Sequence, residues 1–346
     1  MGTTADKLNK ILESKAAIKA AIEAKGVSDV GDVLAEYPDK IASISGGGGG
    51  KFVVPNGLKF GYSSVFDATQ FDTSQVTDMD QMFSYYRGAS LDLSSLDTSN
   101  VTNMGSIFSG ASTLKNINMK GIDTSKVTTF RYSFSNCQRL SSIDLSDLNV
   151  SSVTELQGIF YGCGATSIIL NNWDVRNVTD FKDMFYNCYK LTSVDLSGFI
   201  TSSATTLEEM FRSCSAITSI DVSNFDTSNV TNMNYMFYGC KIIESLDLSS
   251  FNLINLKYTS GMFESCAALT NLLLPDLGHN KSSKELDLTS TSVLTKESVL
   301  YLFNNAFDRK AAEYTTAFTI KLNATTKALL TDDEIAIATN KGFTVV

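Results

Sequence analysis

The sequence predicts a solenoid of eight stacked repeats, preceded by a helical segment and followed by a mixed α/β cap. A nine-residue motif recurs at intervals of 25 or 26 residues, and one phenylalanine occupies the same place in every unit. Such a period indicates a repeat architecture, in which each unit buries its apolar face against its neighbours. The units begin at Phe71, Leu96, Ile122, Leu148, Trp173, Phe199, Phe225 and Phe251. The shared phenylalanines are Phe83, Phe108, Phe134, Phe160, Phe185, Phe211, Phe237 and Phe263.

Each unit contains two apolar spacings, which the unit at Phe225 displays most clearly. From Val230 to Cys240 the apolar residues follow steps typical of one face of a short helix. Leu246 and Leu248 then alternate with polar residues, which is typical of a half-buried strand. A strand and a short helical turn within about 20–29 residues form the leucine-rich-repeat pattern. The predicted fold class is therefore a leucine-rich-repeat solenoid of parallel strands and short helical turns.

The repeats closely resemble the BspA-type leucine-rich repeats. The resemblance rests on Phe-Asp-Thr-Ser-Asn-Val-Thr-Asn-Met from Phe225, Met-Phe-Tyr-Gly-Cys from Met236 and Leu-Asp-Leu-Ser from Leu246, and it covers residues 71–276. Such repeats occur in bacterial surface proteins, mycoplasma-type lipoproteins and phage or prophage tail-associated proteins. The resemblance implies adhesion or protein binding, without enzymatic activity or a cofactor.

Three units depart from the BspA-type pattern. These are units four, six and eight. In unit six, Ile200 replaces the aspartate and Ala204 replaces the valine, and in unit eight Asn252 and Leu256 do so. We expect these units to stack like the others, with less regular turns.

The flanks of the repeat array are expected to be caps. In residues 51–70, Asn56 and Gly57 suit the positive φ angles of a type I′ turn, which predicts a hairpin that covers the first repeat. Residues 277–346 predict a helix from about Thr295, a strand over 318–322 and a final helix with a capping box from Thr331 to Glu334, ending at Gly342.

Residues 1–45 predict two helices, and Gly46 to Gly50 form a flexible linker. The apolar stripe of the first helix is too short to be stable alone, so we expect it to dock on another copy or on tail or virion proteins. The segment from Ala5 to Val27 resembles helical segments of phage structural and tail-fibre proteins, which implies a virion or prophage setting. A bacterial cell surface is the alternative, although residues 1–26 lack the apolar centre of a secretory signal.

Composition argues against two classes of partner. The net charge of −9 disfavours nucleic acid, because affinity for nucleic acid depends on neutralising phosphates with Lys and Arg. No apolar run reaches the roughly 18 residues of a membrane helix, so membrane insertion is not expected.

The reactive residue types do not form a recognisable catalytic or metal-binding set. His279 is the one histidine, and no Cys-x-x-Cys pair occurs, so neither a triad nor a zinc site is expected. The six cysteines fall at one repeat position. Cysteines of adjacent repeats are expected to be close enough for a disulfide, but their place in the core favours free, buried thiols. They are Cys137, Cys163, Cys188, Cys214, Cys240 and Cys266.

The aspartates form two rows. One row starts the units, at Asp72, Asp97, Asp123, Asp174 and Asp226, where Asx turns are expected. The other row lies on the outward strand face, at Asp92, Asp144, Asp195, Asp221 and Asp247. Aligned like charges need solvent, a cation or a basic partner. Asp144, Asp195, Asp221 and Asp247 are therefore one candidate partner face.

A second candidate face is aromatic, and we prefer it for partner binding. Tyr and Arg are enriched at binding hot spots, and these side chains occupy positions at which the units differ. The alternative is that the rings only cover the rim of the core. The residues are Tyr132, Tyr161, Tyr186, Tyr189, Arg212, Tyr235 and Tyr238. The expected ligand is a protein or glycan on a cell surface, and the competing interpretation is a purely structural tail component.

Overall fold

The computed structural model describes residues 51–54, 56–275, 277–279 and 285–346. The helices and glycine linker expected in residues 1–50 lie outside these residues. The described chain forms a leucine-rich-repeat solenoid of parallel strands, which confirms the predicted fold class.

The solenoid strands are short, and the strands that pair do so in parallel with strands of the adjacent repeat. Their middle residue is generally buried and its neighbours exposed, as the alternation of apolar and polar residues predicts. The strands are β1 (Phe52–Val53), β2 (Phe71–Asp72), β3 (Ser90–Asp92), β4 (Asn116–Asn118), β5 (Ser142–Asp144), β6 (Ser167–Ile169), β7 (Ser193–Val194), β8 (Ser245–Asp247) and β9 (Asn271–Leu273).

The segment predicted as a short helix is instead a chain of hydrogen-bonded turns. Tyr235 and Phe237 donate their backbone N–H groups to carbonyls of the next repeat, at 2.8 and 3.0 Å. Met236 and Tyr238, between them, donate to the residue three positions back, at 3.2 and 3.1 Å. The apolar spacing that suggested a helix therefore reflects a turn geometry that directs every third or fourth side chain inward.

This geometry requires a left-handed backbone at two positions in every repeat. The first set, with φ between 49° and 61°, comprises Gln81, Ser106, Tyr132, Gly158, Asp183, Glu209, Tyr235 and Gly261. The second set, with φ between 55° and 71°, comprises Tyr85, Gly110, Asn136, Gly162, Asn187, Ser213, Gly239 and Ser265. A non-glycine residue in this region costs about 1–2 kcal/mol, which hydrogen bonds between repeats must offset.

The phenylalanine ladder forms the centre of the core. All eight rings are fully buried, and consecutive ring centroids lie 5.1 to 6.1 Å apart. Six of the seven pairs are stacked, and Phe108 and Phe134 are tilted by 41°. Each ring therefore contacts both neighbouring repeats, so the apolar core is continuous along the solenoid.

In the first, second, third and seventh repeats, the corner at the start of the repeat is built by an Asp-Thr-Ser sequence. The Asp97 carboxylate accepts the Ser99 N–H at 3.0 Å, which confirms the expected Asx turn. The buried Thr98 hydroxyl donates to the Asp123 carbonyl of the next repeat at 2.9 Å. The sixth repeat lacks the aspartate, yet the Ala204 N–H still donates to the Thr201 carbonyl at 2.8 Å. The expected irregularity is therefore not seen at this turn.

The N-terminal cap is a partial turn of the solenoid, so the predicted hairpin is wrong. β1 pairs in parallel with β2, and the Phe60 N–H donates to the Met82 carbonyl of the first repeat. The Phe60 ring stacks on Phe83 at 5.5 Å, which extends the phenylalanine ladder by one residue. Parallel pairing with the next repeat satisfies backbone groups that a separate hairpin would leave exposed.

The C-terminal module has the expected helices and strand. It contains helices α1 (Lys296–Asn305), α2 (Ala324–Lys327) and α3 (Asp332–Asn340), and a parallel sheet in the order β10 (Glu285–Leu288), β11 (Phe318–Leu322), β12 (Phe343–Val345). Thr331 and Glu334 form the capping box at the start of α3. Ser298 of α1 accepts the Leu272 N–H of β9 at 3.0 Å, so α1 covers the last strand of the ladder.

Replacing Phe185 by Ala should lower the free energy of unfolding by about 3–5 kcal/mol, because the truncation removes buried ring contacts to two adjacent repeats. Denaturant unfolding followed by circular dichroism measures this loss. Tyr189→Ala, at an exposed ring of the same repeat, is the matched control and should change stability little. A loss below about 1 kcal/mol for Phe185→Ala would contradict the continuous core.

Candidate functional site

Six of the seven predicted aromatic and arginine residues lie together along five consecutive repeats, on the turn side of the solenoid. We call Tyr132, Tyr161, Tyr186, Arg212, Tyr235 and Tyr238 the tyrosine–arginine strip. Tyr161 stacks on Tyr186 at 4.4 Å with nearly parallel rings, and Tyr132 meets Tyr161 edge-on at 6.1 Å. All six side chains are half-buried, so each presents part of its surface to solvent.

Arg212 joins the two groups of tyrosines in the strip. Its guanidinium lies 5.5 Å from the ring centroid of Tyr186, 4.9 Å from that of Tyr235 and 4.6 Å from that of Tyr238. It also pairs with Glu209 at 2.9 Å. These contacts order the arginine and align the rings before any ligand arrives, which lowers the entropic cost of binding.

Two tyrosines of the strip also have a structural role. Tyr132 and Tyr235 adopt φ angles of 54° and 55°, and their rings lie over Gly158 and Gly261 of the following repeats. A Cβ atom at these glycines would approach the rings to 2.1 and 2.3 Å. Part of each of these two rings therefore packs against the backbone of the following repeat.

Tyr189 does not join the strip. Its side chain is 41% exposed, and the neighbouring Lys190 lies 5.4 Å from its ring centroid. Tyr189 occupies the position after the core cysteine, whereas the strip lies on either side of the core phenylalanine.

Asp183 is a functional candidate that the sequence analysis missed. It occupies the same left-handed position as Tyr132 and Gly158 in the two preceding repeats. Only 7% of the surface of the Asp183 residue is exposed. Within the described residues, its carboxylate forms no hydrogen bond or ion pair. In the sequence, Asp183 looks like an ordinary polar turn residue, and nothing in the repeat motif distinguishes it from the other polar turn residues.

The surroundings of Asp183 raise its pKa to about 6, chiefly through burial and then through the charge of Glu209. Lys182, which favours the ionised form, is paired with Glu208 at 2.8 Å. The effect extends to the strip. Burial, and after it Asp183, raises the pKa of Tyr132, and burial, Tyr186 and Asp183 together raise the pKa of Tyr161.

The outward strand aspartates are engaged in local turns. Each accepts the backbone N–H two residues later at 2.9 to 3.0 Å. Backbone and side-chain hydrogen bonds from the following serine lower the pKa of Asp144, Asp195 and Asp221. Ile169 takes the aspartate position in β6 and interrupts the row. Within the described residues, no three or more His, Cys, Asp or Glu side chains gather as a metal site would require.

The cysteines form a buried row of free thiols beside the phenylalanine ladder. Five of them donate to the carbonyl of a core-ladder phenylalanine in the preceding repeat, at 3.0 to 3.3 Å. Burial raises the pKa of Cys163 to about 11 and that of Cys266 to about 12. His279, in the C-terminal module, stacks on Phe307 at 3.8 Å. Among the described helices, none has the length and apolar character needed to cross a bilayer.

Parallel strand ladders, a phenylalanine core and one hydrogen-bonded turn region per repeat define this chain as a leucine-rich-repeat solenoid. A model of the family described as "Mycoplasma protein of unknown function, DUF285" matches residues 59–170 and 154–276. Because these matches cover more than half of the chain, the protein belongs to this family, in agreement with the BspA-type resemblance of its repeats.

No curated protein matches the chain. Among solved structures, it is similar to "Crystal structure of TLR13-ssRNA13 complex", with 14% identity, a TM-score of 0.26 and coverage of 79% of this chain and 52% of that one. It is also similar to "Functional domain of InlJ from Listeria monocytogenes includes a cysteine ladder", with 15% identity, a TM-score of 0.19 and coverage of 75% and 67%. The chain thus spans about half the length of the first structure.

Thiol reagents should label few of the six cysteines in the folded protein, because burial disfavours the reactive thiolate. Counting labelled thiols by mass spectrometry, before and after addition of denaturant, checks this expectation. Denaturant should expose all six. Rapid labelling of most thiols without denaturant would contradict the buried row.

Replacing Asp183 by Asn should stabilise the protein at about pH 7.5 by roughly 1–2 kcal/mol, a value reduced for solvent screening. The folded pKa is raised, so the stability contributed by the protonated carboxyl is present below about pH 4 and lost as the pH rises through about 6. Asn never ionises and tolerates a left-handed backbone. Unfolding by urea at several pH values should therefore show a gain that disappears towards pH 4. An equal effect at all pH values would contradict the burial of an ionised Asp183.

Proposed function

We propose that this protein is a non-enzymatic recognition protein that binds a protein or glycan on a cell surface through the tyrosine–arginine strip. The observation that carries the proposal is the alignment of five tyrosines around Arg212, which forms one half-buried surface across five repeats.

The chemistry of the strip suits adhesion. Tyrosine offers a large contact area with few rotatable bonds and a polar tip, and arginine pairs with acidic and planar groups. At about 4.8 Å per repeat, four spacings give a strip roughly 19 Å long. Such a length accommodates about six residues of an extended peptide or a short run of sugar rings. The ordered arginine and the ring stacking make the surface rigid.

A recognition role also agrees with how the reactive side chains are used. The strand aspartates cap turns, the cysteines lie protonated in the core, and His279 packs against Phe307. General acid–base or nucleophilic catalysis needs such groups to converge on a substrate position. Recognition needs only the shape and chemistry of the surface.

The setting we propose is a phage or prophage tail, in which residues 1–45 attach the solenoid to the particle or to another copy. This part of the proposal rests on the resemblance of residues 5–27 to helical segments of tail-fibre proteins, and these residues lie outside the described structure. A bacterial surface adhesin is the alternative setting. Both settings place the strip at an extracellular surface.

Replacing Tyr186 and Tyr238 together by Ser should weaken binding to the target at least tenfold, about 1.4 kcal/mol, because both rings flank Arg212. The labelled full-length protein is titrated onto intact bacterial cells and onto immobilised matrix proteins and glycans. The melting transition of the variant should stay close to that of the parent.

Tyr189→Ser combined with Tyr258→Ser provides the matched control, because both rings are exposed and lie outside the strip. This control should bind like the parent. Binding that survives loss of Tyr186 and Tyr238 but fails when Asp195 and Asp221 become Asn would identify the strand face as the site instead.

A further inference from the structure

A basic side chain lies at one end of the tyrosine–arginine strip, where Arg131 precedes Tyr132. The Arg131 side chain is exposed, and its guanidinium carbon lies 5.5 Å from the ring centroid of Tyr132. The Tyr132 ring is itself held in place, because it packs over Gly158 and edge-on against Tyr161. Arg131 is therefore ordered by an aromatic ring whose position the solenoid fixes.

Arg131 lacks the carboxylate that the repeat register would give it. The residue three positions before the core phenylalanine is Lys182 in the fifth repeat and Glu208 in the sixth, and these two form an ion pair between repeats at 2.8 Å. The same position holds Arg131 in the third repeat and Gln157 in the fourth. A neutral amide thus replaces the counter-ion. Among the described residues, no carboxylate forms an ion pair with Arg131.

The Gln157 amide is directed to the phenol of Tyr132 instead. Its Nε2 atom donates to the Tyr132 phenol oxygen at 3.1 Å. The phenol keeps its own O–H to donate, and no side chain or carbonyl of the described residues accepts it. Two adjacent residues, Arg131 and Tyr132, therefore present hydrogen-bond donors at an exposed position. The planar fork of a guanidinium matches the two oxygens of a carboxylate. We call Arg131, Tyr132 and Gln157 the arginine corner.

We propose that the arginine corner binds the carboxylate of an aspartate or glutamate side chain on a protein partner. The Arg131 guanidinium supplies charge-assisted hydrogen bonds, and the Tyr132 phenol supplies a further donor. The partner's carboxylate then takes the part that Glu208 plays for Lys182 within the chain. The proposal rests on the recognition function proposed above and names the chemistry that the partner offers.

The arrangement of the rings favours an acidic protein over an acidic glycan. Tyr161 and Tyr186 turn their faces to one another at 4.4 Å, and the Tyr132 ring lies over Gly158. Stacking of a sugar requires an open ring face. A peptide chain can instead contact the ring edges and hydroxyl groups, which are the parts that such a packed row of rings presents to solvent.

The test titrates the full-length protein with a capped hexapeptide, Ser-Ala-Glu-Ala-Ser-Ala, which is about as long as the strip. The matched peptide has glutamine in place of the glutamate, and a disaccharide of glucuronic acid and N-acetylglucosamine presents one carboxylate on a sugar. Binding at about pH 7.5 is observed by NMR through the ring resonances of Tyr132. We expect the glutamate peptide to bind with a dissociation constant in the millimolar range. The glutamine peptide and the disaccharide should bind at least fivefold more weakly.

Two variants test the corner itself. Arg131→Gln should raise the dissociation constant of the glutamate peptide at least fivefold, because the charge-assisted hydrogen bonds are lost. Gln157→Glu should do the same, because it supplies a competing carboxylate at the position that Glu208 occupies beside Lys182. Arg139→Gln is the matched control: it removes an equal charge from an exposed residue of the same repeat and should change the constant less than twofold.

Four results would overturn the proposal. They are no binding of the glutamate peptide to the parent, unchanged binding by Arg131→Gln or Gln157→Glu, an equal loss in Arg139→Gln, and binding of the disaccharide as tight as that of the peptide. Thermal melting shows that each variant keeps the fold.

The cell-binding assay separates this proposal from the broader function. Loss of cell binding in the Tyr186 and Tyr238 variant, together with unchanged peptide affinity of Arg131→Gln, leaves the recognition function standing and removes the arginine corner. Retained cell binding by the tyrosine variant, together with Arg131-dependent binding of the peptide, does the reverse.

Discussion

The stacking of each repeat on the next is the constraint on which this structure depends. A single repeat holds one core phenylalanine, one or two strand apolar residues and, in five of the eight repeats, a corner threonine, none of which is buried without a neighbour. Stacking pairs the backbone groups, encloses the rings and satisfies the threonine hydroxyls at the same time. Stacking does not fix the identity of the side chains that face solvent at the turns, so these side chains can vary and can contact a partner.

Sequence predicts the stacked part of the molecule well, because stacking imposes the same residue at the same place. The eight phenylalanines, the Asx turns and the parallel strands follow from the repeat, and the structure confirms them. The turn region was predicted as helix because its apolar spacing is close to helical. The left-handed residues, which include tyrosine, serine and aspartate as well as glycine and asparagine, gave little compositional sign of the true geometry.

The candidate site was predictable only in part. The tyrosines and Arg212 are conspicuous because they vary where the core does not, and the repeat register places them in neighbouring turns. Asp183 was not predictable, since its burial depends on the packing of its repeat in the folded solenoid and not on a recognisable motif. The cap was misjudged for a similar reason. The Asn56–Gly57 pair suggests a local hairpin, whereas Phe60 continues a ladder that begins in the next repeat.

The alternation of local and inter-repeat hydrogen bonds in the turn region affects how the chain can change in length. Each repeat offers the same donors on one face and the same acceptors on the other. A duplicated unit of 25 or 26 residues would therefore find its hydrogen-bond partners already in place. Deletion of one unit would leave no backbone donor or acceptor unpaired. An event in a repeat between Tyr132 and Tyr235 would move these two residues apart or together by one spacing of about 4.8 Å. Gene rearrangement can thus adjust the reach of the surface in fixed steps while the core stays unaltered.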